Sequence, residues 1–392
     1  MVSSTIRNKD NGEGPTVELA TIGIDVAKNV FGVHGVDALG RVSVRTRLAR
    51  DRLLEFLGKV PPCLVGLEAC GSSHYWARKI GQLGHRVKLM SPRFVKAYRK
   101  NDKNDANDAE AICEAVTRPS MRFVPIKSEQ QQEIQALHRV RQQLLKSRTA
   151  LVNQVRGLFA EHGLVVARGI SHARRLLVDN LADPERNGLS DFFVETLIEM
   201  AERLRFLDER VRAYDLKIKR LFQQDERCQR LAKIEGVGTL VATALVAAVG
   251  NASEFKSGRE LSAWLGLVPR QHSSGNRNVL LGISKRGDRY LCTLLIHGAR
   301  AALRTADRGT NRRSIWLNRL RHERGANVAA VALANKNARV VWALLTRGEK
   351  YRPPVEVSQD RTQRIAILRD RPPDAVRRAV AENRLKPKRE PA

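Results

Sequence analysis

The chain of 392 residues is poor in acids, aromatics and cysteines. Its 41 Asp and Glu stand against 70 Lys and Arg, a formal charge of +29. A surplus of that size repels itself, and a polyanionic partner is the commonest reason to carry it. A small acidic substrate would need only a local patch. The five cysteines (Cys63, Cys70, Cys113, Cys228, Cys292) are scattered and form no CxxC pair. That argues against a zinc ribbon or a disulfide framework and for a reducing, cytoplasmic setting. Long apolar runs are missing too. Val237 to Gly250 spans about 14 residues, short of the roughly 20 needed to cross a bilayer. The polar start MVSSTIRNKDNGEG has no signal-peptide core, so no membrane partner is expected. Aromatics at 5% leave few stacking platforms for single-stranded bases, and no recognition helix or zinc finger stands out.

Apolar residues, at 42%, are sufficient for real cores, and the length suits two or three domains. Residues 1–18 read as a disordered lead-in. From Leu19 the chain alternates between strand and helix. LATIGIDVA suits a buried strand, and NVFGVHGVD with RVSVRTRLA completes a three-stranded meander. DRLLEFLGKV is helical, CLVGLEA a strand, SSHYWARKIGQLG a helix and RVKLMSP a strand. A helix carrying KNDKNDANDAEAICEAV follows, and the whole of 19–125 predicts a mixed α/β sheet with helices packed on it. Residues 126–227 change texture. Leu137, Leu144, Leu151 and Leu158 recur every seven residues, flawed by Arg141 and Arg148 on the other seam. Leu197, Met200, Leu204, Leu207, Val211, Tyr214, Ile218 and Leu221 form a cleaner series. Two long helices with a turn-rich connection are expected, either as an intramolecular hairpin or as an intermolecular coiled coil. Residues 228–350 are mainly helical, and IEGVGTLVATALVAAVG fits either a plain helical turn or a helix-hairpin-helix, which can offer backbone N–H groups to phosphate. Residues 269–313 carry ten Arg or Lys against Asp288 and Asp307. The tail, 351–392, holds six of the fourteen prolines and reads as flexible.

Against this basic background a few acids stand where acids are costly. Asp25 interrupts TIGIDVA and Glu68 interrupts LVGLEAC, both in strands that should be buried. An unpaired buried carboxylate costs several kcal/mol, so each needs a metal, a cation or water at a strand end. Asp102 and Asp105 are three apart on an expected helix, within about 60° of each other around its axis. Four oxygen-bearing side chains at a sheet edge would suit Mg²⁺ or Mn²⁺, and paired ions of that kind support phosphodiester chemistry.

GIDVAK (23–28), GLEACGSSHYWA (66–77) and KNDKNDANDAEAI (100–112) resemble the DEDD signature of the 110/1111 family of insertion-sequence transposases. IEGVGTLVATALVAAVG (234–250), ELSAWLGLVPRQHSSGNRN (260–278) and GISKRGDRYLCTLLIHGA (282–299) resemble that family's C-terminal domain, so the likeness runs from about residue 20 to about residue 346. The resemblance implies a RuvC-like domain of the RNase H fold, a long helical linker and a mainly helical domain with a catalytic serine. It puts the four acids on Asp25, Glu68, Asp102 and Asp105, holding Mg²⁺ or Mn²⁺, with Asp108 outside the minimal set. The serine falls on Ser274, one place from Ser273. It also implies donor and target DNA as substrates, a structured bridge RNA as guide, and a dimer or tetramer.

By itself a serine in SSGN is a turn residue. A hydroxyl is a weak nucleophile until a base, a metal or a cationic surround activates it. Arg270, Arg277, Lys285, Arg286 and Arg289 supply such a surround and can hold phosphate. His272 and His297 are spare candidates for proton transfer. Two other readings compete: a RuvC-like junction nuclease that needs no serine, and a non-catalytic coiled-coil protein that organises DNA.

Overall fold

A computed structural model of the chain describes residues 19–100, 104–275 and 277–356. The chain divides into two units, Met1–Gln132 and Glu133–Ala392. The first contains β1 (Thr21–Asp25), β2 (Val30–Val36), β3 (Val42–Ala49), α1 (Leu53–Gly58), β4 (Leu64–Glu68), α2 (Ser73–Gln82), β5 (Arg86–Met90), α3 (Pro92–Val95), α4 (Asp105–Val116) and β6 (Phe123–Val124). They build the mixed α/β unit that the alternation of strand and helix predicts. Six strands lie in the order β3-β2-β1-β4-β5-β6. The first three form the antiparallel meander, and β1, β4 and β5 run parallel.

Side chains alternate across a strand, so each of these strands has two separate tasks. One face presents Ile22, Ile24, Phe31, Val33, Val65 and Leu67, buried with Leu53 and Leu57 of α1 and Trp76 and Ile80 of α2. The opposite face, carrying Gly23, Gly32 and Gly66, receives α4. The glycines decide how close it comes. A Cβ on Gly23 would lie 2.3 Å from the Ala109 carbonyl oxygen and 2.4 Å from the Cys113 nitrogen, and one on Gly32 would lie 2.6 Å from the Asp105 carbonyl oxygen. At Gly66 it would meet the Val116 side chain at 2.9 Å. The helix therefore rests almost backbone to backbone on the sheet, which no side chain at these positions would permit.

The second unit holds most of α5 (Glu129–Glu161), then α6 (Ile170–Ala182), α7 (Asp191–Gln224), α8 (Glu226–Leu231), α9 (Thr239–Val249), α10 (Gly258–Trp264), β7 (Pro269–Gln271), β8 (Leu280–Ile283), α11 (Arg289–Thr305), α12 (Arg312–Arg324) and α13 (Ala326–Arg347). The 3-4 series on α7 is buried at Leu197, Met200, Leu204, Leu207, Val211 and Ile218. The first four of these share a core with Leu151, Val155 and Phe159 of α5. The seam flaws have partners. Arg141 is paired with Asp215, and Arg148 donates to Asp208 at 3.0 Å, with Arg174 of α6 on the other oxygen of Asp208. Arg141 to Asp215 and Arg148 to Asp208 run in opposite directions along the chain, so α5 and α7 form an antiparallel hairpin within one chain. Within the chain, this seam is filled by its own two helices. The connection is not only turns: Ala173 and Leu177, four apart, bury α6 against the hairpin.

The remaining helices enclose a separate core around α9 and α13. Helix α13 is the one described helix long and apolar enough to cross a membrane. Asn335, Lys336 and Asn337 interrupt its apolar run. It is a core helix, burying Leu333, Ala334, Ala338, Val341 and Leu344.

Candidate active site

Parallel pairing sets the first two acids side by side. Ile24 of β1 is level with Leu67 of β4, so Asp25 and Glu68 follow at the same end of adjacent strands. Both point to the α4 face, where they are half-buried. Cys70, just beyond Glu68, lies near both: burial and then the charges of Glu68 and Asp25 push its thiol pKa up. Asp25 is also level with Gly32 of β2, the glycine that lies under the Asp105 carbonyl. The glycine track thus delivers the start of α4 to the strand ends that carry Asp25 and Glu68.

At that start, Asn104 caps the helix by accepting the Asn107 backbone N–H at 2.8 Å. Asp105 and Asp108 occupy the first turn, where the helix dipole favours negative charge. Arg47 of β3 donates to Asp105 at 2.8 Å, and Arg99 to Asp108 at 3.4 Å. Asn104 has extended backbone, φ −151° and ψ 157°, so the helix does not run back through it. Helix α4 therefore starts at Asp105, and Asp102, expected on the same helix, lies outside the described residues. The donor set is made of hard carboxylate oxygens, which suits Mg²⁺ or Mn²⁺. Among the described residues no three His, Cys, Asp or Glu side chains stand close enough to surround an ion; the Asp105 carboxylate is turned toward Arg47.

Ser274 lies in the second unit. β7 and β8 form an exposed antiparallel ribbon. At its tip Ser274 and Arg277 pair backbone to backbone across a turn in which Gly275 has φ +53°, a conformation that glycine adopts without strain. The two serines differ. Ser273 Oγ accepts the Val279 backbone N–H at 3.2 Å and is part of the ribbon. The Ser274 hydroxyl is exposed and has no partner among the described residues. Arg270, Arg277, Lys285, Arg286 and Arg289 are all exposed, as are His272 and His297. None of the five cations forms an ion pair among the described residues. Behind the ribbon, the loop 284–288 is packed tightly on the end of α10, where a Cβ on Gly287 would lie 2.1 Å from the Trp264 carbonyl oxygen. Asp288 then caps α11 through the Leu291 N–H at 3.0 Å. The cations of this loop are therefore mounted on a rigid base.

Sequence reasoning missed three parts of this arrangement. The glycines were readable: each strand acid follows a glycine by two residues, Gly23-Ile24-Asp25 and Gly66-Leu67-Glu68, and an isolated glycine in a strand signals close backbone approach. Arg47 carried only the weak signal of alternating cations on an exposed strand. The third is a buried chain of hydrogen bonds beside α11. Thr243 Oγ1 donates to the Thr239 carbonyl at 2.8 Å, so it accepts from His138 Nε2 at 3.0 Å. His138 Nδ1 is left to accept the Tyr290 hydroxyl at 2.9 Å. Burial, and then the Arg141 charge, hold the His138 pKa down at about 4, so the ring is neutral.

Residues 22–163 match a family model described as a transposase, of the DEDD type. Residues 228–313 match one described as the IS116/IS110/IS902 transposase family. The chain is 51% identical over 337 residues to a probable family 20 transposase of Pseudomonas aeruginosa, covering 86% of this chain and 100% of that one. It is 46% identical over 335 residues to the transposase for insertion sequence element IS1111A of Coxiella burnetii, covering 86% and 92%. A likeness of 41% over 337 residues extends to the transposase for element IS1328 of Yersinia enterocolitica, covering 86% and 99%.

Proposed function

The chain belongs to the IS116/IS110/IS902 family of insertion-sequence transposases, and from that premise we propose that it cleaves and rejoins DNA through a covalent link to Ser274. The observation that carries this reading is the exposed Ser274 hydroxyl at the tip of a basic ribbon, without a partner among the described residues. Ser274 Oγ attacks a phosphodiester phosphorus, forming a serine–phosphate ester and breaking one P–O bond to a DNA oxygen. The serine proton ends on that leaving DNA hydroxyl. A DNA hydroxyl then attacks the same phosphorus and expels the serine oxygen, which regains a proton. The number of phosphoester bonds is unchanged, so no nucleotide triphosphate is needed. Arg270, Arg277, Lys285, Arg286 and Arg289 neutralise the phosphate that is being attacked, and Arg does so with paired donors.

Asp25, Glu68 and Asp105, with Asp102, would hold Mg²⁺ or Mn²⁺. When bound, such ions polarise phosphate and lower the pKa of an attacking hydroxyl. The first unit, residues 19–125 in particular, takes the part of a RuvC-like domain, 126–227 that of a helical linker and 228–350 that of the serine-bearing domain. A bridge RNA is part of the reading, with base pairing choosing the sites and the protein gripping backbones. So is self-association, as a dimer or tetramer acting on DNA in the cytoplasm. The α5–α7 seam is filled within the chain, so partners would meet on the outer face of α7, where Phe192 is 81% exposed and Phe206 57%.

Trapping tests the serine. Purified protein with its bridge RNA, labelled element-end DNA and Mg²⁺ or Mn²⁺ is expected to give a protein–DNA adduct resistant to denaturant. Ser274→Ala is expected to abolish it while DNA binding persists. An adduct that survives in Ser274→Ala, or cleavage that never passes through one, would replace this reading with the water-using nuclease.

A further inference from the structure

Helices α5, α9 and α11 enclose a cleft of about 530 Å³, apart from the ribbon that carries Ser274. Its rim is basic. Arg139 and Lys146 of α5 and Arg289 at the start of α11 reach it, all exposed and none in an ion pair among the described residues. The acid on the rim, Asp288, already accepts the N–H of Leu291 as the α11 cap. Arg139, Gln142 and Lys146 stand three and four apart, so they share one helix face. The floor is small and apolar, made by Ala244 and Ala248 of α9. The bonds from Tyr290 to His138 and from His138 to Thr243 tie the three helices together, so the cleft is built before anything enters it.

The volume lies within the roughly 300–1,000 Å³ typical of small-ligand pockets and is too small for a duplex. Three cations against the one carboxylate of Asp288 leave a positive surplus that selects an anion, the apolar floor selects a flat ring, and a side-chain amide can pair with a base edge. Resting on the DNA chemistry proposed above, and on Arg289 joining the cleft to the basic loop 284–288, we propose that this cleft holds one nucleotide of a single DNA strand. Its flanking phosphates lie on Arg139, Lys146 and Arg289. Its base lies on Ala244 and Ala248 with the Gln142 amide at its edge. The cleft is a binding site outside the cleaving group, holding the strand that leads away from Ser274.

The test uses full-length protein carrying Ser274→Ala, so that cleavage cannot alter the probe. Binding of labelled 12-nucleotide single-stranded DNA, and of RNA of the same sequence, is followed by fluorescence anisotropy across a salt series. Arg139→Ala with Lys146→Ala is expected to weaken DNA binding about tenfold and to make the salt slope shallower by about 1.4, two phosphate contacts at roughly 0.7 each. Arg139→Lys with Lys146→Arg is expected to restore the slope. Arg212→Ala with Lys219→Ala, the same charge removed from exposed positions on α7 away from Phe192 and Phe206, is expected to leave it unchanged. Gln142→Ala is expected to flatten any preference among oligo-dA, oligo-dT, oligo-dC and oligo-dG. A cleft variant indistinguishable from the α7 control would overturn the proposal. So would a loss confined to RNA, which would make the cleft a guide-binding site. The serine reading fails separately, by the absence of an adduct in the unmutated protein, whatever the cleft does.

Discussion

Gly32→Ala is a one-carbon change that should disable the enzyme without touching any reacting group. The new Cβ would lie 2.6 Å from the Asp105 carbonyl oxygen, whereas ordinary contact begins at 3.4 Å. The first turn of α4 must retreat by the difference, about 0.8 Å, because the obstacle is backbone and cannot rotate away. Overpacking of this kind costs roughly 1–3 kcal/mol, which a unit of this size can survive. The catalytic penalty should be larger in effect, since a misplacement near 1 Å can cost about 10²-fold in rate. Single-turnover strand cleavage on element-end DNA, with binding and thermal melting measured alongside, separates the two effects. Gly35→Ala is the control: its Cβ would press on the Leu19 side chain at 2.8 Å, on the sheet face away from α4. Gly35→Ala should lose stability with little loss of rate, and Gly32→Ala should lose about 10²-fold in rate while binding DNA normally. Equal rates for the two variants would refute the claim that the glycine track sets the position of Asp105.

Two further predictions concern the second unit. His138 is neutral in the fold, with a pKa near 4 against an ordinary 6.5. Between those values the unfolded chain takes up a proton that the folded chain refuses. Stability should therefore be unaffected by this group above about pH 6.5 and fall by on the order of 3 kcal/mol as pH drops toward 4. Denaturant unfolding at pH 7.5 and 5 should show this fall reduced in His138→Gln, and an identical pH dependence in both proteins would count against the buried neutral ring. Asp208→Ala leaves Arg148 and Arg174 facing the seam without their shared carboxylate. The cost should be about 1–3 kcal/mol, read as a lower unfolding midpoint. Arg148→Ala combined with Asp208→Ala should cost less than the sum of the two single changes, and strict additivity would deny the pairing.

What the sequence disclosed and what it withheld follow from the range of the interactions concerned. The strands of the meander, β4, β5 and the acids that end β1 and β4 were legible because period and composition are local. The start of α4 was not. KNDKNDAND repeats an asparagine every three residues, so several positions look equally able to cap, and only packing on Gly32 selects Asn104. The two arginines on the α5 seam read as flaws because their partners lie 74 and 60 residues away. Yet Asp208 and Asp215 are seven apart, as Arg141 and Arg148 are, and that matching interval was available. Ser273 and Ser274 are one register step apart in the sequence, and only the folded ribbon shows that Ser273 accepts the Val279 N–H. Arg47 stood out only as one of the alternating cations of β3, and nothing in that strand announces which helix it will meet.

The glycine track also bears on how copies of such an element decay. A copy of such an element in which Asp25, Glu68 or Ser274 has changed is easy to read as altered. Here a copy could keep every one of those residues and still act far more slowly, because a methyl group at position 23 or 32 would push α4 back from its sheet. Census methods that score only reacting residues would count such copies as live. Scoring the three small residues under the helix would give a truer estimate of how many elements can still move.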